Sequence, residues 1–379
     1  NSIEMSTVAQ VGRQAGLGRR FSRASLRRYT RRLLQIVLPA VVVVGSALIV
    51  LYGWHAADRG AFLALASVLC VLPVIGTFSS IRSGQLIALG RSATAISVQA
   101  LRTAVPMVLA LCWSRAPLWV LAAGYVTGEV LRLLVLSSAA RRLGTDLAVT
   151  DDDVDHRGLL WQSASLATAQ SGPATDRAFL NSGPAGSIAS YEIADKVFYA
   201  GLQVVNSGFL LRRLGQWSQL VTRDPHAVRA MLRRELGVFG AISTVCAVLG
   251  IAVCWLALTF APIPDAWRTG IVWASIILVS MPMSAIGTAC ARLFVIGGRA
   301  SLLVRFSIGF TLANAGLDAL GFALLGVIGI PIATVVARLG AMVCYLLVLW
   351  KNVVPRLEAG PAETPEAAAD LASSPVQTS

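Results

Sequence analysis

Long apolar runs, separated by short polar segments, recur along the chain from residue 33 to residue 350. Because a helix rises about 1.5 Å per residue, about 20 apolar residues can cross the roughly 30 Å hydrocarbon core of a bilayer. The pattern predicts ten membrane-spanning helices, at 33–54, 61–81, 92–113, 117–138, 159–180, 187–211, 235–260, 268–291, 301–323 and 329–350. The expected fold class is therefore all-α, a polytopic membrane protein.

The fifth predicted span is more polar than the others. Its polar or helix-interrupting residues are Gln162, Ser163, Ser165, Thr168, Gln170, Ser171 and Pro173. Lipid cannot satisfy the hydrogen bonds of such side chains, so we expect this helix to face protein or a water-filled cavity.

Residues 65–93 and 273–301 share a pattern that indicates an internal repeat. At one constant offset, four residues of the first segment match four of the second: Ala66, Ser67, Gly90 and Arg91 match Ala274, Ser275, Gly298 and Arg299. The prolines Pro73 and Pro282 are one position away from this alignment. The match places the second span on the eighth and predicts a parallel duplication, as in several transporter folds. The fifth and sixth spans then lack partners, which predicts four plus six helices of an original six plus six. The alternative is a ten-span protein with a chance match.

Composition and charge fit this interpretation. Hydrophobic residues make up 56% of the chain and charged residues 13%, against about 25% charged in soluble domains, and the mean hydropathy is +0.70. With the N-terminus in the cytoplasm, 23 of the 32 lysines and arginines fall in cytoplasmic segments and 3 in outer segments. Such a bias predicts that both termini are cytoplasmic. The net charge of +13 is explained by these orienting arginines, and no nucleic-acid partner is expected.

The same pattern predicts five regions. They are a basic cytoplasmic segment (1–32), a truncated N-terminal lobe of four helices (33–138), a cytoplasmic linker (139–158), a C-terminal lobe of six helices (159–351) and a disordered cytoplasmic tail (352–379). The final residues are rich in Ala, Pro and Glu and poor in aromatic residues, a composition typical of disorder.

Residue types that carry metal or nucleophilic chemistry are scattered. The six cysteines all lie within apolar runs, and the three histidines lie in loops far apart in sequence. No metal-ligand spacing, nucleophile elbow or phosphate-binding loop is present. We therefore expect neither an enzyme nor a cofactor or metal site.

The stretch Tyr191–Val197, YEIADKV, places two acids and a lysine inside the sixth predicted span. Asp195 lies roughly 12 Å below the start of the span. One helical face would carry Glu192, Asp195, Lys196, Tyr199, Gln203 and Asn206. Glu192 and Lys196 are spaced as an i, i+4 ion pair, so the stripe could join helices as a neutralised pair. The other interpretation is a stripe that lines a cavity and binds a polar headgroup or carries protons, with Lys196 paired to Glu192 or Asp195.

Further polar residues lie inside the predicted spans, namely Arg102, Glu129, Arg132, Asp176, Arg177, Arg338 and a stripe of Ser307, Thr311, Asn314 and Asp318. Glu129 and Arg132 are spaced to neutralise each other. Arg338 could pair with Asp318, as a structural or a functional contact. Asp176 and Arg177 lie near the outer end of their span, where interfacial and site roles are both open.

Residues 175–220 resemble the seventh and eighth helices of the MurJ-type lipid II flippases (MviN family) of the MOP exporter superfamily. The resemblance rests on the outer loop at 184–187 and on Ala194-Asp195-Lys196, where the family has Ala-Asp-Arg. Residues 329–339, GIPIATVVARL, resemble the Gly-x-x-x-Ala-Thr start of that family's last core helix, and residues 122–144 resemble its sixth helix. The match covers the ten spans as that family's helices three to twelve, so two earlier helices are expected before Asn1.

The resemblance implies a two-lobed bundle that moves undecaprenyl-pyrophosphate-linked sugars across the bacterial cytoplasmic membrane, for peptidoglycan synthesis. It implies alternating access around a cationic cavity. Membrane lipids are expected as further partners, and a proton or a monovalent cation is the candidate coupling ion. The candidate cavity residues are Lys196, Asp195, Glu192, Tyr199, Gln203, Asn206, Asp176, Arg177 and Arg102. Alternatives are a flippase for other lipid-linked polysaccharide units, a cation-coupled small-molecule antiporter and a non-transporting scaffold.

Overall fold

The computed structural model describes residues 2–16, 23–53, 58–113, 117–142, 156–169 and 171–359, and all regular structure in these ranges is helical. This confirms the all-α prediction. The chain divides into two compact units near Val154. The predicted linker, 139–158, lies largely outside the described residues, as does the predicted disordered tail beyond Ala359.

The N-terminal unit contains the first six helices and also takes in residues 214–219. The helices are α1 (Ser2–Gly16), α2 (Arg23–Gly53), α3 (Arg59–Ala88), α4 (Ser92–Gln99), α5 (Leu101–Cys112) and α6 (Leu118–Arg141). Helix α3 packs on α2 and α6, and α6 packs on α5. At Gly128, a side chain would collide with the Leu101 carbonyl oxygen at 2.6 Å, so glycine is what lets α6 approach α5 this closely.

Part of the basic segment predicted at 1–32 forms helix α1. Met5 and Val8 are fully buried, and the buried Glu4 accepts a hydrogen bond from Ser83 of α3. Residues 2–16 are thus an integral helix of the N-terminal unit, and the following helix already begins at Arg23 instead of residue 33.

The C-terminal unit contains the remaining helices, apart from residues 214–219 of the tenth helix. They are α7 (His156–Ala169), α8 (Ser171–Asn181), α9 (Ser187–Val205), α10 (Leu211–Arg223), α11 (Val228–Phe260), α12 (Asp265–Leu278), α13 (Met281–Ile296), α14 (Ala300–Leu325), α15 (Gly329–Val348) and α16 (Val354–Ala359). The main packing partners are α9 with α12, α14 with α7 and α15, and α11 with α12 and α13.

The ends of two helices in this unit depart from simple α-helical geometry. A π-helical turn at Asn206–Leu210 joins α9 to α10, and another at Leu349–Val353 joins α15 to α16. Arg229 donates two hydrogen bonds, of 2.9 and 3.0 Å, to the Glu358 carboxylate of α16. The prediction of disorder was therefore wrong for residues 352–359.

Each predicted span coincides with a helix or with a pair of consecutive helices. By length and hydropathy, six helical segments of the described chain could cross a membrane, or seven if the bent α12–α13 pair counts as one span. The last of these segments, Ala300–Ala359, is 60 residues long and contains the ninth and tenth predicted spans. The fifth and sixth spans do not qualify, because α7–α8 is polar and interrupted and α9 is charged.

The two copies of the predicted repeat end in the same turn. In the first copy, the Gly90 N–H donates to Ile87 O at 3.1 Å and the Arg91 N–H to Leu86 O at 2.7 Å. At an offset of 208 residues, Gly298 and Arg299 make the same two bonds at the same lengths. Both glycines have positive φ, 80° and 69°, as this helix-ending motif requires. The copies differ upstream, since α3 runs through Pro73 while the α12–α13 pair bends by 53° before Pro282.

Candidate functional site: a buried oxygen cluster

Five side chains from four helices of the C-terminal unit form a buried polar site that we call the oxygen cluster. Asp176 of α8 accepts hydrogen bonds from Tyr191 of α9 (2.5 Å) and from Asn314 of α14 (2.8 Å). The second N–H of Asn314 donates to Asp318 at 2.8 Å, and the Thr334 hydroxyl of α15 lies 3.3 Å from that of Tyr191.

The cluster is sealed from the surface of the unit. None of its five residues is more than 5% exposed, and Asp318 is 0% exposed. One carboxylate oxygen of Asp318, Oδ1, is buried without a hydrogen-bond partner among the described residues. A buried, unpaired carboxylate oxygen is costly unless a proton or a cation neutralises it.

The ligand chemistry of the cluster is that of oxygen alone. It offers two carboxylates, one amide oxygen, two hydroxyls and, through the 3.0 Å bond from Thr334, the neighbouring Ile330 carbonyl. Oxygen-only sites suit hard cations. The described residues contain no group of three or more His, Cys, Asp and Glu side chains placed to hold a metal. With two carboxylates, the cluster can accommodate one proton or one small cation.

The residues of the polar stripe predicted on α9 have different surroundings in the structure. Lys196 is exposed, and no carboxylate of the described residues lies within 4.0 Å of its ammonium group. Tyr199 is 48% exposed, Gln203 donates to Ser207 at 3.0 Å, and Asn206 has a buried Oδ1 without a partner in the described chain.

The predicted pairing of Lys196 with Glu192 was wrong. Glu192 instead binds Arg177 of α8, with its Oε1 atom 2.6 Å from one guanidinium nitrogen and 2.7 Å from another. Asp195 is half-buried and is close enough to Arg338 for electrostatic interaction. The exposed Arg177 of the neighbouring helix thus pairs with Glu192, which the sequence spacing had assigned to Lys196.

Arg102 belongs to the N-terminal unit and is not a member of the oxygen cluster. Its guanidinium lies 3.8 Å from the buried Glu129, which also binds Arg132 at 3.0 Å. The predicted Glu129–Arg132 pair is therefore confirmed, with Arg102 as a more exposed third member.

The polar stripe predicted on α14 is confirmed as one face that packs on α7 and α8. Ser307 lies 2.6 Å from the Ser165 hydroxyl, and Thr311 donates to Thr168 O at 3.3 Å. The predicted Arg338–Asp318 pair does not form. Arg338 donates to Ser280 at 2.9 Å, and its guanidinium lies 3.9 Å from the centre of the Phe198 ring.

The sequence interpretation named Asp176 as a site residue but missed the roles of Tyr191 and Thr334. Tyr191 stands next to Glu192 on a different helical face from the predicted stripe. Thr334 could have been suspected from its place one turn before Arg338. A threonine in an apolar helix, however, commonly only bonds back to its own backbone, as Thr334 also does here.

The sequence matches no protein-family model and no curated protein. The fold, in contrast, matches solved structures of membrane transporters. A MATE transporter in a straight conformation aligns with a TM-score of 0.71 at 15% identity, over 94% of this chain and 84% of that one. A MOP superfamily transporter from Pyrococcus furiosus aligns with a TM-score of 0.68 at 14% identity, over the same shares. A MATE transporter in complex with Rb⁺ aligns with a TM-score of 0.68 at 12% identity, over 95% and 85%. The chain therefore has the fold of the MATE transporters of the MOP superfamily.

Proposed function

We propose that this protein is a multi-pass transporter of the bacterial cytoplasmic membrane that moves a polyprenyl-pyrophosphate-linked oligosaccharide by alternating access. Lipid II is the leading cargo, and peptidoglycan synthesis the process served. The fold supports a transporter, because the similar structures are of transporters. The oxygen cluster is the observation that carries the proposal, since two buried carboxylates in membrane helices are expensive and mark ion pathways. The protein is then neither an enzyme nor a nucleic-acid-binding protein.

The oxygen cluster is the proposed coupling site. A monovalent cation or a shared proton would neutralise Asp176 and Asp318 and occupy the side of Asp318 that lacks a hydrogen bond. When the site is empty, Asp176 and Asp318 are two carboxylates bridged only by the Asn314 amide. The electrostatic energy of this state differs from that of the state with an ion or a proton bound. Because four helices contribute to the cluster, ion binding would favour one arrangement of those helices over another. A similarly folded transporter was solved in complex with Rb⁺.

The cargo assignment rests on Lys196 and on the family resemblance. An exposed ammonium without a carboxylate partner among the described residues can attract a pyrophosphate. Lysine acts there as a point charge and cannot bind two oxygens as an arginine fork would. Export of other lipid-linked polysaccharide units would use the same chemistry.

Complementation of a lipid II flippase depletion tests the proposal. The wild-type chain, expressed to normal membrane levels, should restore growth, and Lys196→Gln should weaken that rescue. Lys351→Gln is the matched control, because it removes the other lysine of the chain, which is also exposed. Failure of the wild-type protein to rescue at full expression contradicts the lipid II assignment. Equal rescue by Lys196→Gln contradicts the role of Lys196.

A cation-coupled small-molecule antiporter is the second candidate. It is favoured by a similar structure of a multidrug resistance MATE family transporter, which aligns with a TM-score of 0.70 at 14% identity. Drug efflux from a susceptible host would distinguish the two candidates. An antiporter should raise resistance, and Asp195→Asn or Glu192→Gln should reduce it. Unchanged drug accumulation would remove this candidate.

A further inference from the structure

The C-terminal unit contains an open cavity that is separate from the residues of the oxygen cluster. Its volume is about 390 Å³, and it is lined by residues of α7, α9, α13, α14 and α15. Small-molecule sites have volumes of about 300–1,000 Å³, so this cavity is large enough for a compact ligand. None of its lining residues belongs to the oxygen cluster.

The polar part of the lining is positive. Arg338 and Arg292 both line the cavity, and the described residues of its lining include no aspartate or glutamate. The other polar groups are uncharged donors and acceptors, chiefly Gln162, Ser165, Tyr199, Ser284, Thr288 and Ser307. Arginines within membrane helices ordinarily meet a carboxylate or a ligand. The charged side chains among the described lining residues are therefore cationic.

Contacts with Phe198 and Ser280 help to orient Arg338. Its guanidinium lies 3.9 Å from the centre of the Phe198 ring, and one terminal N–H donates to Ser280 at 2.9 Å. A guanidinium has five N–H donors in a planar fork. Contact with a ring covers a guanidinium face and leaves the edge able to bind a carboxylate or a phosphate through two parallel bonds. Asp195 interacts with Arg338 electrostatically but does not line the cavity.

The rest of the lining is apolar and elongated. Along α13 the lining residues recur on one helical face from Ser284 to Val295, a length of about 16 Å. Several are small, including Gly287 and Ala291, so the helix itself leaves the groove open. Leu166, Leu202, Met283, Phe310 and Met342 complete the apolar walls. Such a groove fits an alkyl chain better than a compact polar molecule.

We propose that this cavity binds a single-chain amphiphile with one anionic headgroup, a carboxylate or a phosphate. The headgroup binds the edge of Arg338 near Ser280, and the chain lies along the small-residue face of α13. The site lies within the C-terminal unit, and its existence does not depend on which cargo the protein transports.

Equilibrium binding of radiolabelled dodecanoate to the full chain in phosphatidylcholine nanodiscs tests this proposal, with empty nanodiscs as background. We expect saturable binding, displaced by monododecyl phosphate and by unlabelled dodecanoate. Dodecyltrimethylammonium, which has the same chain and the opposite charge, should not displace the label. Neither should acetate, which lacks the chain. Displacement by the cationic analogue as strong as by dodecanoate would overturn the anionic assignment, and displacement by acetate would overturn the amphiphile.

Two variants locate the binding site. Arg338→Gln should weaken binding by about tenfold or more, which corresponds to about 1.4 kcal/mol. Arg305→Gln is the matched control, because Arg305 is exposed on α14 and does not line the cavity. Ala291→Phe fills the groove but keeps Arg338, and it should also reduce binding. Unchanged affinity in both Arg338→Gln and Ala291→Phe, with wild-type unfolding temperatures, would place the bound amphiphile elsewhere and refute the proposal.

Discussion

At the scale of single residues, the partners of a charge depend on which helices surround it. Glu192 is four residues from Lys196, yet it binds Arg177 of the preceding helix. Asp318 is on a different helix from Asp176, yet one asparagine bridges the two. Spacing along one helix indicates which side chains can meet, and the neighbouring helix decides which of them do.

The first prediction concerns Asp318. Replacing choline with Na⁺, K⁺ or Rb⁺ at constant ionic strength should raise the unfolding temperature of the wild-type protein. A ligand at a hundred times its Kd stabilises the bound state by about 2.7 kcal/mol. Asp318→Asn keeps the size and the acceptor for Asn314 but loses the charge, so this shift should disappear. If a proton fills the site instead, acidification should stabilise wild type and not the variant.

Glu358→Gln is the control for that measurement, because it removes a carboxylate that binds Arg229 outside the oxygen cluster. It should keep the wild-type response to cations and to pH. If Asp318→Asn retains both responses as well, the oxygen cluster is not the coupling site.

The second prediction concerns the Arg177–Glu192 ion pair. The two side chains are 46% and 31% exposed, and exposed pairs contribute about 0–1 kcal/mol. Glu192→Gln and Arg177→Gln should therefore each leave the unfolding temperature nearly unchanged. A double-mutant cycle measures the coupling directly, and a coupling energy well above about 1 kcal/mol would show that the pair is effectively buried.

At the scale of elements, interruptions in the helices were harder to foresee than the helices themselves. Ten apolar runs predicted the positions of the spans, because burial in lipid demands both length and hydropathy. Their breaks depend on local backbone geometry. The α12–α13 bend is marked in the sequence only by a proline. The π-helical turn after α9 has no distinctive sequence signal. A proline does not always interrupt a helix, since α3 continues through Pro73.

The third prediction concerns the close approach of α14 and α15. A Cβ atom on Gly329 would lie 2.0 Å from the Gly321 carbonyl oxygen, and backbone atoms cannot move aside as a flexible side chain can. Gly329→Ala should therefore destabilise the protein by about 1–3 kcal/mol.

Gly316→Ala on α14 is its control, measured by the same thermal unfolding. Apart from its chain neighbours and the backbone of its own helix, no atom lies within 4 Å of a Cβ there, so alanine should be neutral or stabilise the helix by about 0.5–1 kcal/mol. Equal unfolding temperatures for the two variants would contradict the packing seen between these helices.

At the scale of the whole molecule, the arginine distribution predicts the topology. The fourth prediction is that alkaline phosphatase fused after Asp58 or Pro264 is active and that the same enzyme fused after Asp224 or Gly298 is inactive. Green fluorescent protein fusions at the same sites should give the opposite result, because that protein fluoresces when it folds in the cytoplasm. The physical reason is the bias of cytoplasmic loops toward Lys and Arg. The same outcome at Asp224 and Pro264, or at Pro264 and Gly298, would show that the one predicted span between those two sites does not cross the membrane.

The sequence by itself determined the all-α class, the positions of the apolar helices and the turn shared by the two copies of the repeat. These features follow from local physics. Hydropathy sets the spans, and a glycine with positive φ ends a helix in the same way wherever it occurs.

Only the tertiary structure decided which polar residues meet. It joined Asp176, Tyr191, Asn314, Asp318 and Thr334 into one buried cluster, assigned Arg338 to Phe198 and Ser280, and opened a cavity lined by arginines within the C-terminal unit. These groups are up to about 160 residues apart in the chain. Their contacts depend on the rotation and depth of each helix against its neighbours, and one-dimensional periodicity does not encode either quantity.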